Sequence, residues 1–445
     1  MYQRLVTFLS AAAVILAILP VVPAKSSGWQ LVFSDEFAGS QLDRNKWATR
    51  FIYNNETLDH FNDEVQRYRD TQIAVSDGVL DLTAEKKPGA SLFESGLIRS
   101  HRTFYYGYYE ARVFLPSGKG IWPAFWLEAD YDQDGRTWHP PEIDIFEYVI
   151  NGVEDKPNML HSNAAGRGDY VFTDPSFQTK FAEMMGKENL NEGWHVVGMV
   201  WQPDRVTLFW DGRRIYTKTY QWLRKDGQLG PPAHIDFNFA VGGGWAGRHG
   251  IDESAFPQKF RVDYIRVCQF TSSDKGKRQC GPSQLTPDPQ EFGYADAPND
   301  MPKPEFLRMD HVGDARANAG AVAVPITGNR VDLTVPIKFP EQYPSERTLR
   351  VSVMDEATGA TVTSASQRLD LASMAKRPDG TAAIDVSLPA LQRPGRFRLD
   401  AALIAESVDA KGAKQTLPAP ASCSTDLPQP VKARSCQLLR VDVQR

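Results

Sequence analysis

Apolar and polar positions alternate along most of the chain. Val79-Leu80-Asp81-Leu82-Thr83-Ala84 and Tyr108–Leu115 both repeat every second residue, the period of a half-buried strand. Trp194–Trp201, a break at Pro203-Asp204, then Val206–Trp210 and an Asp211-Gly212 pair predict strand, turn, strand and hairpin turn. Phe260–Val267 alternates again. Further on, Arg330–Phe339, Thr348–Met354, Ala383–Leu388, Gly395–Ile404 and Gln437–Val443 predict strands at sandwich-like intervals. Long helical periods are scarce, and Phe177–Asn191 is the one stretch that suits a short helix. The pattern predicts an all-β chain.

Composition divides that chain in two. All 10 tryptophans lie between Trp29 and Trp245. Thr271 to Phe306 is rich in proline (Pro282, Pro287, Pro289, Pro298, Pro302, Pro304) and reads as a linker or a surface strap. The expected organisation is a larger β-sandwich over 28–270, a connection over 271–305 and a smaller, immunoglobulin-like sandwich over 306–445. At 445 residues the chain is long enough for both cores.

At the N-terminus, Arg4 precedes an apolar run from Leu5 through Leu19, and Val22-Pro23-Ala24 offers small residues for cleavage. Residues 1–24 therefore read as a signal peptide; an uncleaved anchor is the alternative, since the run is nearly long enough to span a bilayer. The expected location is secreted or periplasmic, with no membrane attachment after cleavage. Cys268, Cys280, Cys423 and Cys436 suit that oxidising compartment, and nearest-neighbour pairing closes two short loops. Zinc is the weaker reading, because no CxxC or nearby His accompanies them. A net charge of -5 argues against nucleic acid or an anionic membrane as partner. A monomer is expected.

The chemistry concentrates in Glu142-Ile143-Asp144-Ile145-Phe146-Glu147. The spacers favour a strand, on which Glu142 and Asp144 share a face and Glu147 does not. One β-bulge between Asp144 and Glu147 would restore it to that face. Three acids on one face destabilise one another's charge, which suits acid/base work. The bland alternative is a solvated acidic strand. Sugar cleavage needs two carboxyls and flat apolar surfaces for the rings. Gly120-Ile121-Trp122-Pro123-Ala124-Phe125-Trp126 lies just upstream, His161 downstream, and Gly242-Gly243-Gly244-Trp245 adds another indole. Core packing competes for each of these tryptophans and for His161.

EIDIFE resembles the ExDxxE signature of glycoside hydrolase family 16, in its bulged, laminarinase-like branch. Supporting matches run in order: DEFAGSQLDRNKW (35–47), EVQRYRD (64–70), SGLIRS (95–100), YGYYEARVFLPSGKGIWPAFWL (106–127), GWHVVGMVWQPDRVTLFWDG (193–212), FNFAVGGGW (237–245) and FPQKFRVDYIRV (256–267). The resemblance implies a concanavalin-like β-jelly-roll with a substrate cleft, acting on β-1,3 or mixed β-1,3-1,4 glucan in an endo, retaining manner. Glu142 would be the nucleophile, Asp144 its assistant and Glu147 the general acid/base. Trp122, Trp126, His161, Arg99, Asn238 and Trp245 would contact the polysaccharide. No cofactor is required for catalysis; a structural Ca2+ held by the backbone oxygens of Glu36 and Gly78 and by Asp263 is implied. Asp63 replaces the asparagine common in the family. Other readings are the same chemistry on a galactan or bacterial exopolysaccharide, transglycosylation, and glucan binding without turnover. Asp130-Tyr131-Asp132-Gln133-Asp134-Gly135 mimics the start of a calcium loop, but a solvated acidic rim suits it better. Arg167-Gly168-Asp169 spells an adhesion tripeptide, for which chance is the better reading.

Overall fold

In the computed structural model, residues 28–292 are described except 133, 167–168, 173–188 and 272–276. Residues 305–444 are described except 310, 313–314, 317–320, 326–328, 340–345, 371–372, 409–413, 420–421 and 424–435. The expected signal peptide, the helix expected over most of Phe177–Asn191 and the tripeptide's Arg167 and Gly168 fall outside the described residues. Among the described residues, no helix is long and apolar enough to cross a membrane.

The alternating segments become strands, paired almost entirely antiparallel, in two facing sheets. The outer sheet has 8 strands, ordered 213–219, 205–210, 194–202, 107–114, 258–271, 79–84 and 73–76, with 28–35 also pairing 258–271. The inner sheet has 7 strands, ordered 169–172, 161–166, 142–147, 121–129, 233–241, 97–100 and 47–48. Between them lies one apolar core, to which the inner sheet contributes Phe125, Leu127, Ile143, Ile145, Phe146, Ile235 and Phe237. Phe125 and Phe237 stack with centroids 4.4 Å apart. Burying each such side chain stabilises the sandwich by roughly 1.5–3 kcal/mol. The Asp211-Gly212 turn has φ of 48° and 75°, the left-handed pair of a hairpin whose twist matches its strands.

Residues 277–292 run along the outer sheet. Trp29 Nε1 donates to the Pro287 carbonyl (2.9 Å) and Gln202 Nε2 to that of Phe292 (2.7 Å). Cys268 and Cys280 are joined by a disulfide. Cys436 is disulfide-bonded too, while the side chain of Cys423 lies outside the described residues.

The C-terminal part forms a second two-sheet sandwich with its own core, including Phe306, Leu333, Val335, Val351, Phe397 and Leu403. One sheet has 4 strands, built on 330–338 and 381–389; the other has 6, built on 346–355, 395–408 and 436–444. Arg347 of this sandwich donates to Asp134 Oδ1 (3.0 Å), on the loop that leads into the Glu142 strand.

Candidate active site

Strand 142–147 sits inside the inner sheet, between 121–129 and 161–166. Its register explains why three acids share a face. On one side Asp144 pairs with Asn163 and Glu147 with His161; on the other, Asp144 pairs with Trp126 and Phe146 with Phe125. One residue is therefore extra between Asp144 and Glu147 relative to both neighbours, which is a β-bulge. Ile143, Ile145 and Phe146 all enter the core. Glu142, Asp144 and Glu147 all emerge on the opposite face, at the floor of a cleft of ≈ 340 Å³.

The aromatic walls come from several elements. Trp122 and Trp126, from the neighbouring strand, line the cleft with Phe51, Phe61 and Trp245. Trp245 lies on a short turn whose position is set from outside. Asp63 Oδ2 accepts from the Gly244 amide (2.7 Å). At Gly243 (φ +71) an added Cβ would lie 2.6 Å from Asp63 Oδ1. A glycine there permits both the backbone conformation and the close approach. Asp63 thus acts as an anchor for the Trp245 turn, and its neighbour Glu64 lines the cleft.

Burial governs the electrostatics. Glu142 is 7% exposed and Asp144 5%. The two are hydrogen-bonded to each other. Asp144 is pushed well above the ordinary carboxylate range, by burial first and then by the charges of Glu142 and Glu147. Glu142 is pushed up to about 8 by burial, Glu147 and Glu128, while the bond from Asp144 pulls it down. The bond runs from a protonated Asp144 to Glu142, so Asp144 is the proton donor of the pair. Glu147 is also raised by burial. His161 opposes that rise, as do hydrogen bonds from Trp122 and Asn163. Those bonds are Trp122 Nε1 to Oε1 (3.0 Å) and Asn163 Nδ2 to Oε2 (2.7 Å). His139 Nδ1 lies 3.3 Å from Glu142 Oε2. The arrangement can supply one carboxylate for attack and another carboxyl for proton exchange.

The family model described as "Beta-porphyranase A-D, GH16 domain" matches residues 29–270. The chain belongs to glycoside hydrolase family 16. Among family members, a β-glucanase of Rhodothermus marinus is 33% identical over 267 residues, 55% of this chain and 87% of that protein. A glucan endo-1,3-β-glucosidase A1 of Niallia circulans is 31% identical over 278 residues, 56% of this chain but only 39% of that protein. A solved laminarinase from Flavobacterium sp. UMI-01 has 30% sequence identity and a TM-score of 0.45, covering 54% of this chain and 100% of that one.

Of the residues to which the family resemblance pointed, Trp122, Trp126, His161, Asn238 and Trp245 all line the cleft. Asn238 already commits its carboxamide, accepting from Trp126 Nε1 (2.9 Å) and donating to the Tyr68 hydroxyl (2.9 Å). The expectation for Arg99 is corrected: it is 0% exposed and offers no surface to a sugar. Its Nε donates to the Arg50 carbonyl (3.2 Å), and its guanidinium lies 3.6 Å from Glu56 and 3.9 Å from Glu128. Segment 50–56 covers this end of the sheet, and strand parity does not reveal such a cover.

The implied calcium donors lie on the outer sheet and its turns. Glu36 and Gly78 are neighbours through the Glu36 carbonyl. Asp263, the one carboxylate of the set, is paired with Arg112 at 2.5 Å, and the Glu36 side chain is paired with Arg266 at 2.7 Å. The Asp130–Gly135 loop closes on itself instead: Asp132 Oδ1 accepts from the Asp134 and Arg136 amides (2.9 Å each) and Oδ2 from Trp138 Nε1 (2.8 Å).

Sequence reasoning missed Asn163, Asp155, His139, Phe51 and Phe61. Asn163 had a usable signal, because it lies two residues from His161 on the same strand face. The other four lie outside the cleft strands and gave none.

Proposed function

We propose that the chain is an endo-acting hydrolase of β-1,3-glucan, including mixed β-1,3-1,4 glucan, working with retention of configuration. The observation that carries this is the bulge, which gathers Glu142, Asp144 and Glu147 on the floor of an aromatic cleft. The same bulge supports placement in the laminarinase-like branch. Glu142 attacks the anomeric carbon while Glu147 protonates the departing oxygen. Glu147 then takes a proton from water as the water opens the glycosyl-enzyme ester. Asp144 orients Glu142 and is the proton donor of the pair. Burial of the Glu142 charge is relieved when the carboxylate becomes a neutral ester, so the environment favours the forward step.

The cleft lining contains carboxylates and histidines but no Lys or Arg among the described residues, which suits a neutral polymer. The names of the relatives, β-glucanase and glucan endo-1,3-β-glucosidase, agree with a glucan. The matching family model, described as a β-porphyranase, supports keeping another polysaccharide, such as a galactan, as the second reading. An apolar N-terminal run and the Cys268–Cys280 disulfide support export to an oxidising compartment.

A panel of neutral and sulfated polysaccharides, with products sized and their linkages determined, tests the substrate. Cleavage of β-1,3-glucan to short oligosaccharides is expected. Turnover confined to galactans, products longer than the substrate, or binding without turnover would each replace this reading. Glu142→Gln and Glu147→Gln should each abolish hydrolysis without loss of fold, and near-normal cleavage by either would end the assignment.

A further inference from the structure

The cleft has two ends, and the order Glu142, Asp144, Glu147 along the strand distinguishes them. His161 pairs with Glu147 across the sheet, so it lies at the proton-donor end. Trp245 is there too, with its ring 4.7 Å from His161 and 5.0 Å from Trp122, both edge-on. Trp122 in turn donates to Glu147. One side chain outside the described catalytic set holds both His161 and Trp245.

That side chain is Asp155, which is 4% exposed. Its Oδ1 accepts from His161 Nε2 (2.7 Å); its Oδ2 accepts from Trp245 Nε1 (2.8 Å) and Asn151 Nδ2 (2.7 Å). The turn beneath it is closed twice. Asn151 Oδ1 accepts from the Val153 and Asp155 amides (2.9 and 3.0 Å), and the Asp155 carbonyl accepts from the Asn151 and Gly152 amides (3.1 and 3.0 Å). Burial pushes the Asp155 carboxyl up, but the bond and charge of His161 and the bond from Trp245 outweigh it and hold it ionised. An ionised carboxylate only accepts. His161 therefore donates from Nε2, and Nδ1 is the nitrogen that does not face Asp155.

We propose that Asp155 is the positioning residue for the leaving-group side of the cleft: one buried carboxylate fixes both the imidazole and the indole that meet the departing sugar. This rests on the roles assigned above to Glu142 and Glu147. The group that leaves with the Glu147 proton is a glucosyl unit, and its ring and hydroxyls lie where Trp245 and His161 are held.

The test compares two substrates on the full chain. One is a β-1,3-linked glucose tetrasaccharide, whose leaving sugar needs both the proton and the positioned surface. The other is the 2,4-dinitrophenyl glycoside of the corresponding disaccharide, whose leaving group needs no proton and brings no sugar. Asp155→Asn and Asp155→Ala should lower kcat/KM on the tetrasaccharide by about 100-fold, the cost of a misplacement of about 1 Å. On the dinitrophenyl glycoside they should stay within about threefold of the parent. Asn151→Ala, which keeps the carboxylate but removes the side chain that closes the turn beneath it, should show the same split to a smaller degree and guards against a folding failure at Asp155. Equal losses on both substrates, or none on either, would overturn the positioning role. A parent enzyme inactive on both substrates would instead overturn the glucanase reading.

Discussion

Replacing Trp122 with phenylalanine tests the tuning of the acid/base directly. The substitution keeps an aromatic ring on the cleft wall and removes one N–H, which donates to Glu147 Oε1 at 3.0 Å. Asn163 still donates to the other oxygen at 2.7 Å. A hydrogen bond to a charged group contributes about 1.5–3 kcal/mol. One pKa unit corresponds to about 1.36 kcal/mol, so the lost bond is worth about 1–2 units. The bond stabilises the ionised form, so its loss raises the pKa of Glu147. Glu147 must be protonated to act as the acid, and its deprotonation sets the basic limb of kcat/KM. That limb should therefore move to higher pH by about 1–2 units, while the acidic limb, set by the Glu142–Asp144 pair, stays in place. The assay is the pH profile of kcat/KM on a soluble oligosaccharide, read for the position of its limbs rather than its height. A basic limb that stays fixed or moves to lower pH would refute the assignment of Glu147 and the role of this bond.

Three further outcomes follow from the same physics. Burial raises Glu64 from 4.5 to about 7, so the folded state binds its proton more tightly than the unfolded chain. The resulting stability is full below pH 4.5 and is lost as pH rises through about 7; Glu64→Gln should remove up to about 3 kcal/mol of that decline in denaturant unfolding, and an unchanged pH slope would contradict it. Gly243→Ala, which forces a Cβ to within 2.6 Å of Asp63 Oδ1 at a positive φ, should displace the Trp245 turn and raise KM several-fold, with parent-like kinetics as the contrary result. The Arg347–Asp134 pair, at 3.0 Å with Asp134 44% exposed, should contribute no more than about 1 kcal/mol in a double-mutant cycle; a much larger coupling would make the C-terminal sandwich an integral support of the cleft rather than an appended unit.

The strand pattern and the three acids were legible because both rest on local spacing. Residues 79–84 alternate in sequence and form a strand with those bounds, and the extra residue in EIDIFE appears as the bulge. Trp122 and Trp126 were legible by parity, since both lie on the acid face of the adjacent strand. What failed was anything decided by a second segment lying over the sheet. Arg99 shares the cleft face by register with Asp236, yet segment 50–56 covers it. Asp63, where the family often has asparagine, holds the Gly244 amide. Asp155 comes from a turn with no periodicity and reaches the site only because Asn151 closes that turn. Contacts between a loop and a sheet distant in sequence leave no trace in spacing.

Two carboxyls with separate roles, one of them forming a bond to the sugar, carry the proposed reaction. An activated 2-deoxy-2-fluoro β-glucoside of suitable length slows breakdown of a covalent glycosyl-enzyme and lets it accumulate. Mass spectrometry of the intact protein, followed by peptide mapping, should show a single added glycosyl group on Glu142, absent from Glu142→Gln. Steady turnover of the natural polymer with no adduct, or an adduct on Asp144 or Glu147 instead, would contradict the assignment of Glu142 as the nucleophile.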